Sequence, residues 1–117
     1  MKDLIHFYRV NDLSTIKSFY EDLLHLSLYK DQGKCLIYDT HGFGKIGFCT
    51  HFPAKELNQS CITFVYNTPH EVDLLFTLLS KNQFKPEQPS YNKEFKIYHF
   101  FTRDPNHLQL EFQAFID

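Results

Sequence analysis

An internal repeat restricts the fold of this chain more than any other feature of its sequence. An offset of 56 residues places residues 5–11 on residues 61–67, and both stretches run directly into a helical pattern. An offset of 64 places residues 46–48 on residues 110–112, so the second copy carries eight extra residues, which we place near KPEQPSYNKE. A repeat of about 50 residues indicates one supersecondary unit used twice, neither copy closing its core alone.

Two segments have the apolar spacing of helices. In DLSTIKSFYEDLLHL the apolar residues recur every three or four positions, and Asp12 or Ser14 is placed to cap the helix. In TPHEVDLLFTLLSK, Thr68 is the predicted N-cap, and Glu71, three residues later, completes a capping box. The sequence therefore predicts one helix in each copy of the repeat.

Eight short runs with strand character surround the two helices, each bounded by Gly, Pro, Asn or Asp. They are LIHFYRV, LSLYK, KCLIYDT, GKIGFCTH, SCITFVYN, QFKPEQ, FKIYHFFT and HLQLEFQAF. Phe and Tyr make up 17% of the chain, which favours a β-rich core or an aromatic-lined pocket. The order βαβββ, written twice without a linker, predicts a single α+β domain over residues 1–117. Module one covers about residues 1–52 and module two about residues 60–117.

Charge and composition argue against several classes of partner. The formal net charge of -2 provides no basic field for nucleic acid or for an anionic membrane surface. The sequence shows neither an apolar signal segment nor a membrane-spanning run, so we expect a cytoplasmic protein. Cys35, Cys49 and Cys61 lack a CxxC spacing, and we expect small buried side chains rather than a disulfide framework or a zinc site.

Two motifs resemble the vicinal oxygen chelate superfamily, which includes glyoxalase I, fosfomycin-resistance proteins, extradiol dioxygenases and bleomycin-resistance proteins. RVNDLSTIKSFYEDLL resembles the first strand, short turn and helix of that family, and RDPNHLQLEF resembles its DPDGxxxEL element. The resemblance covers essentially the whole chain. It implies that each βαβββ module is a half-barrel, that the cupped mixed sheet has its helices on the outer face, and that the two modules enclose a cleft carrying a divalent metal.

The resemblance further implies four metal-ligand places, on the first and last strand of each module. Transferred residue by residue, these places are Ile5, Gly47, Cys61 and Glu111, and the repeat offsets support the pairing. Only Glu111 is a good ligand for a hard metal, so we expect no tightly bound metal, with one divalent ion as the alternative. His6 lies one residue from a ligand place, and alternation along a strand turns it to the opposite face.

Alternation from Glu111 predicts which side chains face the cleft, with Gln109 and Gln113 on the same side and Leu110 and Phe112 against the helices. The ligand-binding residues implied by the resemblance are Phe7, Arg9, His51, Cys61, Thr63, His99 and Phe101. Glu111 is the candidate catalytic residue or polar anchor. A structural role for Glu111, such as an ion pair with Arg9, is the alternative.

Three functions remain open from the sequence. The leading hypothesis is a glyoxalase/bleomycin-resistance-like protein that binds a small molecule in an aromatic cleft without a metal or other cofactor. The second is a divalent-metal-dependent lyase, transferase or dioxygenase of the same superfamily, with ligands such as Cys61, Glu111 and either His99 or His51. The third is a non-catalytic regulatory or structural dimer whose cleft is filled by Phe7 and Phe101. The resemblance and the aromatic content also predict a homodimer.

Overall fold

The computed structural model describes residues 3–50 and 61–116. The chain divides into two compact units, Met1–Leu57 and Asn58–Asp117. The first contains β1 (Ile5–Arg9), α1 (Leu13–Ile16), a π-helical segment (Lys17–Leu23), β2 (Ser27–Asp31), β3 (Cys35–Asp39) and β4 (Lys45–Cys49). The second contains β5 (Cys61–Tyr66), α2 (Pro69–Lys81), β6 (Ser90–Asn92), β7 (Ile97–Arg103) and β8 (Gln109–Phe115). No helix among the described residues is long and apolar enough to cross a membrane.

Each unit contains a four-stranded mixed sheet, and the two sheets have the same topology. Their strand orders are β1-β4-β3-β2 and β5-β8-β7-β6, with the first pair parallel and the others antiparallel. The register repeats as well, because Phe7 pairs with Gly47 and the equivalent Thr63 pairs with Glu111. The predicted α+β fold of two βαβββ modules is confirmed.

The first unit buries one face of its sheet against the helical segment. Asp12 is the N-cap of α1 and accepts a hydrogen bond from the Ser14 amide at 2.9 Å. The core on this face is aromatic, with the Tyr20 and Phe48 rings stacked 4.5 Å apart. The sequence predicted one regular helix, and most of it is instead π-helical. Over so few turns, apolar residues that recur every three or four positions do not distinguish an α-helix from a π-helix.

The second unit packs α2 on its sheet. Thr68 caps the helix by accepting from the Glu71 amide at 3.2 Å, and its hydroxyl donates to the Glu71 carboxylate at 3.4 Å. Val72 and Leu79 of this helix are fully buried. The capping residues predicted from the sequence are therefore correct.

One predicted strand is wrong. QFKPEQ is irregular, and the sixth strand is instead the short β6. Gln83 and Lys85 have positive φ angles of 67° and 46°, which a strand does not accommodate, and Pro86 has no amide to donate. This region lies within the stretch where the repeat requires its extra residues.

The expectation that the cysteines form no disulfide is also wrong. Cys35 and Cys49 lie opposite each other on β3 and β4 with their Cα atoms 4.2 Å apart, and they are disulfide-bonded. Cys61 is a free, exposed cysteine, so the expectation that it is buried is wrong as well. The spacing of the cysteines does not reveal this bond, because it depends on the register between two strands.

Candidate functional site

The site predicted around Glu111 lies on one face of the second sheet. Leu110 and Phe112 have no exposed surface, and both point to the opposite, helix-covered face. Glu111 therefore shares its face with Gln109 and Gln113, as the alternation predicted. We call this surface, with its neighbouring residues on β5 and β7, the Glu111 face.

The Glu111 carboxylate is held by side chains from both neighbouring strands. Its Oε2 lies 2.7 Å from His99 Nδ1, and its Oε1 accepts a hydrogen bond from Thr63 Oγ1 at 2.8 Å. The side chains of Glu111 and His99 are each only 14% exposed. Two partners on different strands fix the direction of a carboxylate more firmly than one partner does.

Cys61 and Phe101 complete the predicted set on this face. The Phe101 ring is edge-on to the His99 ring, with centroids 5.2 Å apart, and Phe101 pairs with Glu111 across the strands. Partial desolvation and the nearby Glu111 carboxylate raise the pKa of the Cys61 thiol, more than offsetting its hydrogen bond to Thr63. At neutral pH Cys61 is therefore a protonated thiol rather than a thiolate.

The turn before β8 is organised by Asp104, which is only 3% exposed. Its Oδ1 accepts hydrogen bonds from the Asn106 and Leu108 amides at 2.8 and 2.9 Å. Arg103 Nη1 donates to the His107 carbonyl at 2.8 Å, so the same turn orients the guanidinium. The RDPNH segment thus connects β7 to β8 and positions a cation at the end of the Glu111 face.

A cavity of about 340 Å³ opens at this end of the second sheet. We call it the Arg103 pocket, and its lining includes Phe84, Lys85, Glu87, Phe101, Arg103 and Gln109. Lys85 and Arg103 are not among the site residues predicted from the sequence, whereas Gln109 was placed beside Glu111. Extending the alternation by one step beyond Phe101 would have found Arg103, which pairs with Gln109.

In the first unit, Phe7 and Arg9 lie on one face of β1, and both are exposed. The Phe7 ring covers Gly47, so a Cβ atom at Gly47 would overlap with it. His6 stacks on Tyr8 with ring centroids 4.7 Å apart, which places it on the opposite face from Phe7, as predicted. His51 lies outside the described residues.

The described residues do not fit the divalent metal implied by the resemblance. Two of the four equivalent places, Ile5 and Gly47, carry no donor side chain. Both oxygens of Glu111 are engaged, one by Thr63 and one by His99. Among residues 3–50 and 61–116, no three His, Cys, Asp or Glu side chains converge. A stable site usually needs about three or more ligands.

Comparison with solved structures shows the fold. A glyoxalase/bleomycin resistance protein/dioxygenase from Nocardioides is 14% identical, with a TM-score of 0.79, covering 100% of this chain and 85% of that one. A lactoylglutathione lyase from Agrobacterium tumefaciens is 18% identical, with a TM-score of 0.78, covering 95% and 91%. The fosfomycin resistance protein FosX from Listeria monocytogenes is 14% identical, with a TM-score of 0.79, covering 97% and 91%.

The chain therefore has the glyoxalase/bleomycin resistance/dioxygenase fold, and the resemblance drawn from the two motifs is confirmed at that level. No protein-family model and no curated protein matches the sequence. At identities this low, the shared fold does not transfer an activity, so function must be argued from the site.

Proposed function

We propose that this chain is a small-molecule-binding protein of the glyoxalase/bleomycin-resistance kind, in which Glu111 is the polar anchor of an aromatic cleft. The observation that supports the proposal is that His99 and Thr63 hold the Glu111 carboxylate on the face of the sheet that α2 does not cover. The hydrophobic core lies on the other face, around Phe112, so this polar group does not serve the packing of α2.

Glu111 has the properties of a preorganised binding group. Its two partners come from β5 and β7, so neither a rotation of one side chain nor a small shift of one strand redirects it. Phe101 supplies apolar surface directly beside it. Such a site combines stacking and apolar burial for affinity with a few polar groups for orientation.

The test compares Glu111→Gln with the wild type by thermal unfolding, with and without a ligand found by screening. A ligand that binds only the folded state raises the unfolding temperature. We expect Glu111→Gln to fold normally and to lose most of this stabilisation. Thr63→Val, which removes only one donor to the carboxylate, should weaken the stabilisation less.

Glu94→Gln is the matched control, because it makes the same chemical change at an exposed carboxylate in the turn between β6 and β7. It should leave the stabilisation by ligand unchanged. Full ligand stabilisation in Glu111→Gln, or an equal loss in both variants, would show that Glu111 is not the anchor.

An enzyme is the second candidate, favoured by one contact. His99 Nδ1 faces the Glu111 carboxylate at 2.7 Å, an arrangement that fixes the ring and leaves Nε2 for proton transfer to or from a ligand. Mass spectrometry of a ligand from the screen, after incubation with the protein, tests this. A product that forms with the wild type and not with His99→Gln supports an enzyme, and an unchanged ligand contradicts it.

The homodimer and the cytoplasmic location remain proposals. Large exposed side chains such as Phe43, 90% exposed, and Phe95, 64% exposed, support self-association. Light scattering should give the mass of a dimer at roughly tens of micromolar protein. A monomer mass under those conditions would contradict the dimer.

A further inference from the structure

We propose that the Arg103 pocket receives the anionic group of an aromatic acid, which would make aromatic carboxylates or aromatic phosphate esters the ligand class of this protein. The proposal rests on the proposed function and specifies its ligand. It is carried by the charges, the walls and the position of the pocket.

The Arg103 pocket carries the charge that an anion requires. Lys85 and Arg103 both line the pocket, and Glu87 is its acidic member, so the lining has an excess of positive charge. Within the described parts of the chain, neither Lys85 nor Arg103 takes part in an ion pair. A planar guanidinium with donors left over matches the two oxygens of a carboxylate or phosphate.

The Arg103 pocket is held in shape by specific contacts. Thr102 Oγ1 donates to the Phe84 carbonyl at 3.0 Å, and the Glu87 amide donates to the Phe101 carbonyl at 2.9 Å. These bonds fix the irregular segment before β6 against β7. The His107 carbonyl holds Arg103 at 2.8 Å from the other side. A preformed pocket binds a ligand without first ordering its own walls.

The Arg103 pocket lies next to the Glu111 site along the sheet. Gln109 and Arg103 pair across β8 and β7, one step along the sheet from the pair of Glu111 and Phe101. Two residues along a strand span about 7 Å, which a single aromatic ring with its substituents can bridge. Phe84 and Phe101 offer ring surfaces in the pocket. One molecule can therefore place its anion at Arg103 and its ring beside Phe101.

The probes are benzoate, phenyl phosphate, benzamide and cyclohexanecarboxylate, titrated into the isotope-labelled full chain and followed by NMR. Benzamide keeps the shape of benzoate without its charge, and cyclohexanecarboxylate keeps the charge without the planar ring. We expect benzoate or phenyl phosphate to bind more tightly than both controls, and the tighter of the two identifies the anion. Equal binding of benzamide, or no binding of either aromatic acid, would overturn the proposal.

Variants that are expected to change the affinity for benzoate in opposite directions distinguish a binding role from a general loss of structure. Arg103→Gln should weaken benzoate binding at least about tenfold, the loss of a charge-assisted contact. Glu87→Gln should strengthen it, because the repulsion of the anion is removed. Lys93→Gln, which removes an exposed charge in the neighbouring turn, should leave it unchanged. The unfolding midpoint of each variant checks that it is folded.

Glu111→Gln titrated with 4-hydroxybenzoate, whose hydroxyl can donate to the Glu111 carboxylate, separates this proposal from the proposed function. Weaker binding of 4-hydroxybenzoate in both Arg103→Gln and Glu111→Gln supports both. A loss in Glu111→Gln alone overturns the Arg103 pocket and leaves the anchor standing. A loss in Arg103→Gln alone supports the pocket and contradicts the role of Glu111.

Discussion

The Phe7 ring lies over Gly47 at the position where the second unit has Thr63 beside Glu111. Both pairs occupy the same register between the first and last strands of their sheets. In the second unit, a hydroxyl donates to a carboxylate. In the first, an aromatic ring fills the space that a side chain at residue 47 would need. The two copies of the repeat therefore make different side-chain contacts at equivalent positions.

The overlap between Phe7 and any side chain at residue 47 predicts a coupling between the two positions. Glycine within a strand is less favourable than alanine by roughly 0.5–1 kcal/mol, so Gly47→Ala should stabilise the chain once the ring is absent. We expect that gain in a Phe7→Ala background and a smaller gain, or a loss, in the wild type. Urea unfolding of the four chains of this double-mutant cycle measures it. Equal effects of Gly47→Ala in both backgrounds would contradict the contact.

The disulfide between Cys35 and Cys49 predicts a stability that depends on reductant. Its ends are separated by 14 residues, and a loop of that size stabilises a protein by about 3 kcal/mol. Reduction should lower the free energy of unfolding by roughly 2–4 kcal/mol in the wild type and in Cys61→Ala. It should have no effect in Cys35→Ala. A wild type whose unfolding does not respond to reductant would contradict the bond.

The raised pKa values of three tyrosines predict that the protein loses stability in strong base. Burial, with help from nearby carboxylates, raises the pKa of Tyr38 and of Tyr66 to about 12. A hydrogen bond from its hydroxyl to Asp73 Oδ1 raises the pKa of Tyr98 to about 12. The ordinary value is 10, so the folded chain holds these protons more tightly than the unfolded chain.

Their contribution is fully present below pH 10 and is lost as the pH rises towards 12. Unfolding free energies measured across this range should fall, and the fall should be smaller in Tyr98→Phe. Absorbance of tyrosinate gives a second reading, in which part of the tyrosine population ionises late. Stability that stays level from pH 10 to 12 would be inconsistent with these environments.

Much of the fold could be predicted from the sequence because the patterns that indicate it are short and local. The capping residue Thr68 and the alternation around Glu111 each depend on residues within or next to one element, and the repeat is read by direct comparison of two stretches of the sequence. QFKPEQ is not a strand because Pro86 lacks an amide donor and because Gln83 and Lys85 adopt left-handed backbone conformations, which the sequence does not show.

The contacts of the site were less predictable because they depend on register between strands. The sequence does not reveal that His99 and Thr63 hold the Glu111 carboxylate. Nor does it reveal that the Gln113 side chain on the same face is buried, with only 8% of its surface exposed. Which residues lie opposite each other is decided by turn lengths and bulges, and these leave weak marks in a single sequence.

The donor set of the site predicts that purified protein carries no tightly bound first-row metal. Cys61 and Glu111 are two potential ligands, and among the described residues no third His, Cys, Asp or Glu side chain converges with them. Elemental analysis should find far less than one equivalent of zinc, nickel, manganese or iron. Close to one equivalent, lost in Glu111→Gln, would contradict this prediction and favour the metal-dependent enzyme.

Asp104 predicts a further link between the stability of a turn and the binding of a ligand. Asp104→Ala leaves the Asn106 and Leu108 amides without their acceptor, which should cost roughly 2 kcal/mol of unfolding free energy. Asp104→Asn keeps an oxygen at the same place and should cost less. Because this turn carries the His107 carbonyl that orients Arg103, Asp104→Ala should also weaken benzoate binding. Urea unfolding and NMR titration measure the two effects, and identical behaviour of the Ala and Asn variants would show that the carboxylate oxygen does not organise the turn.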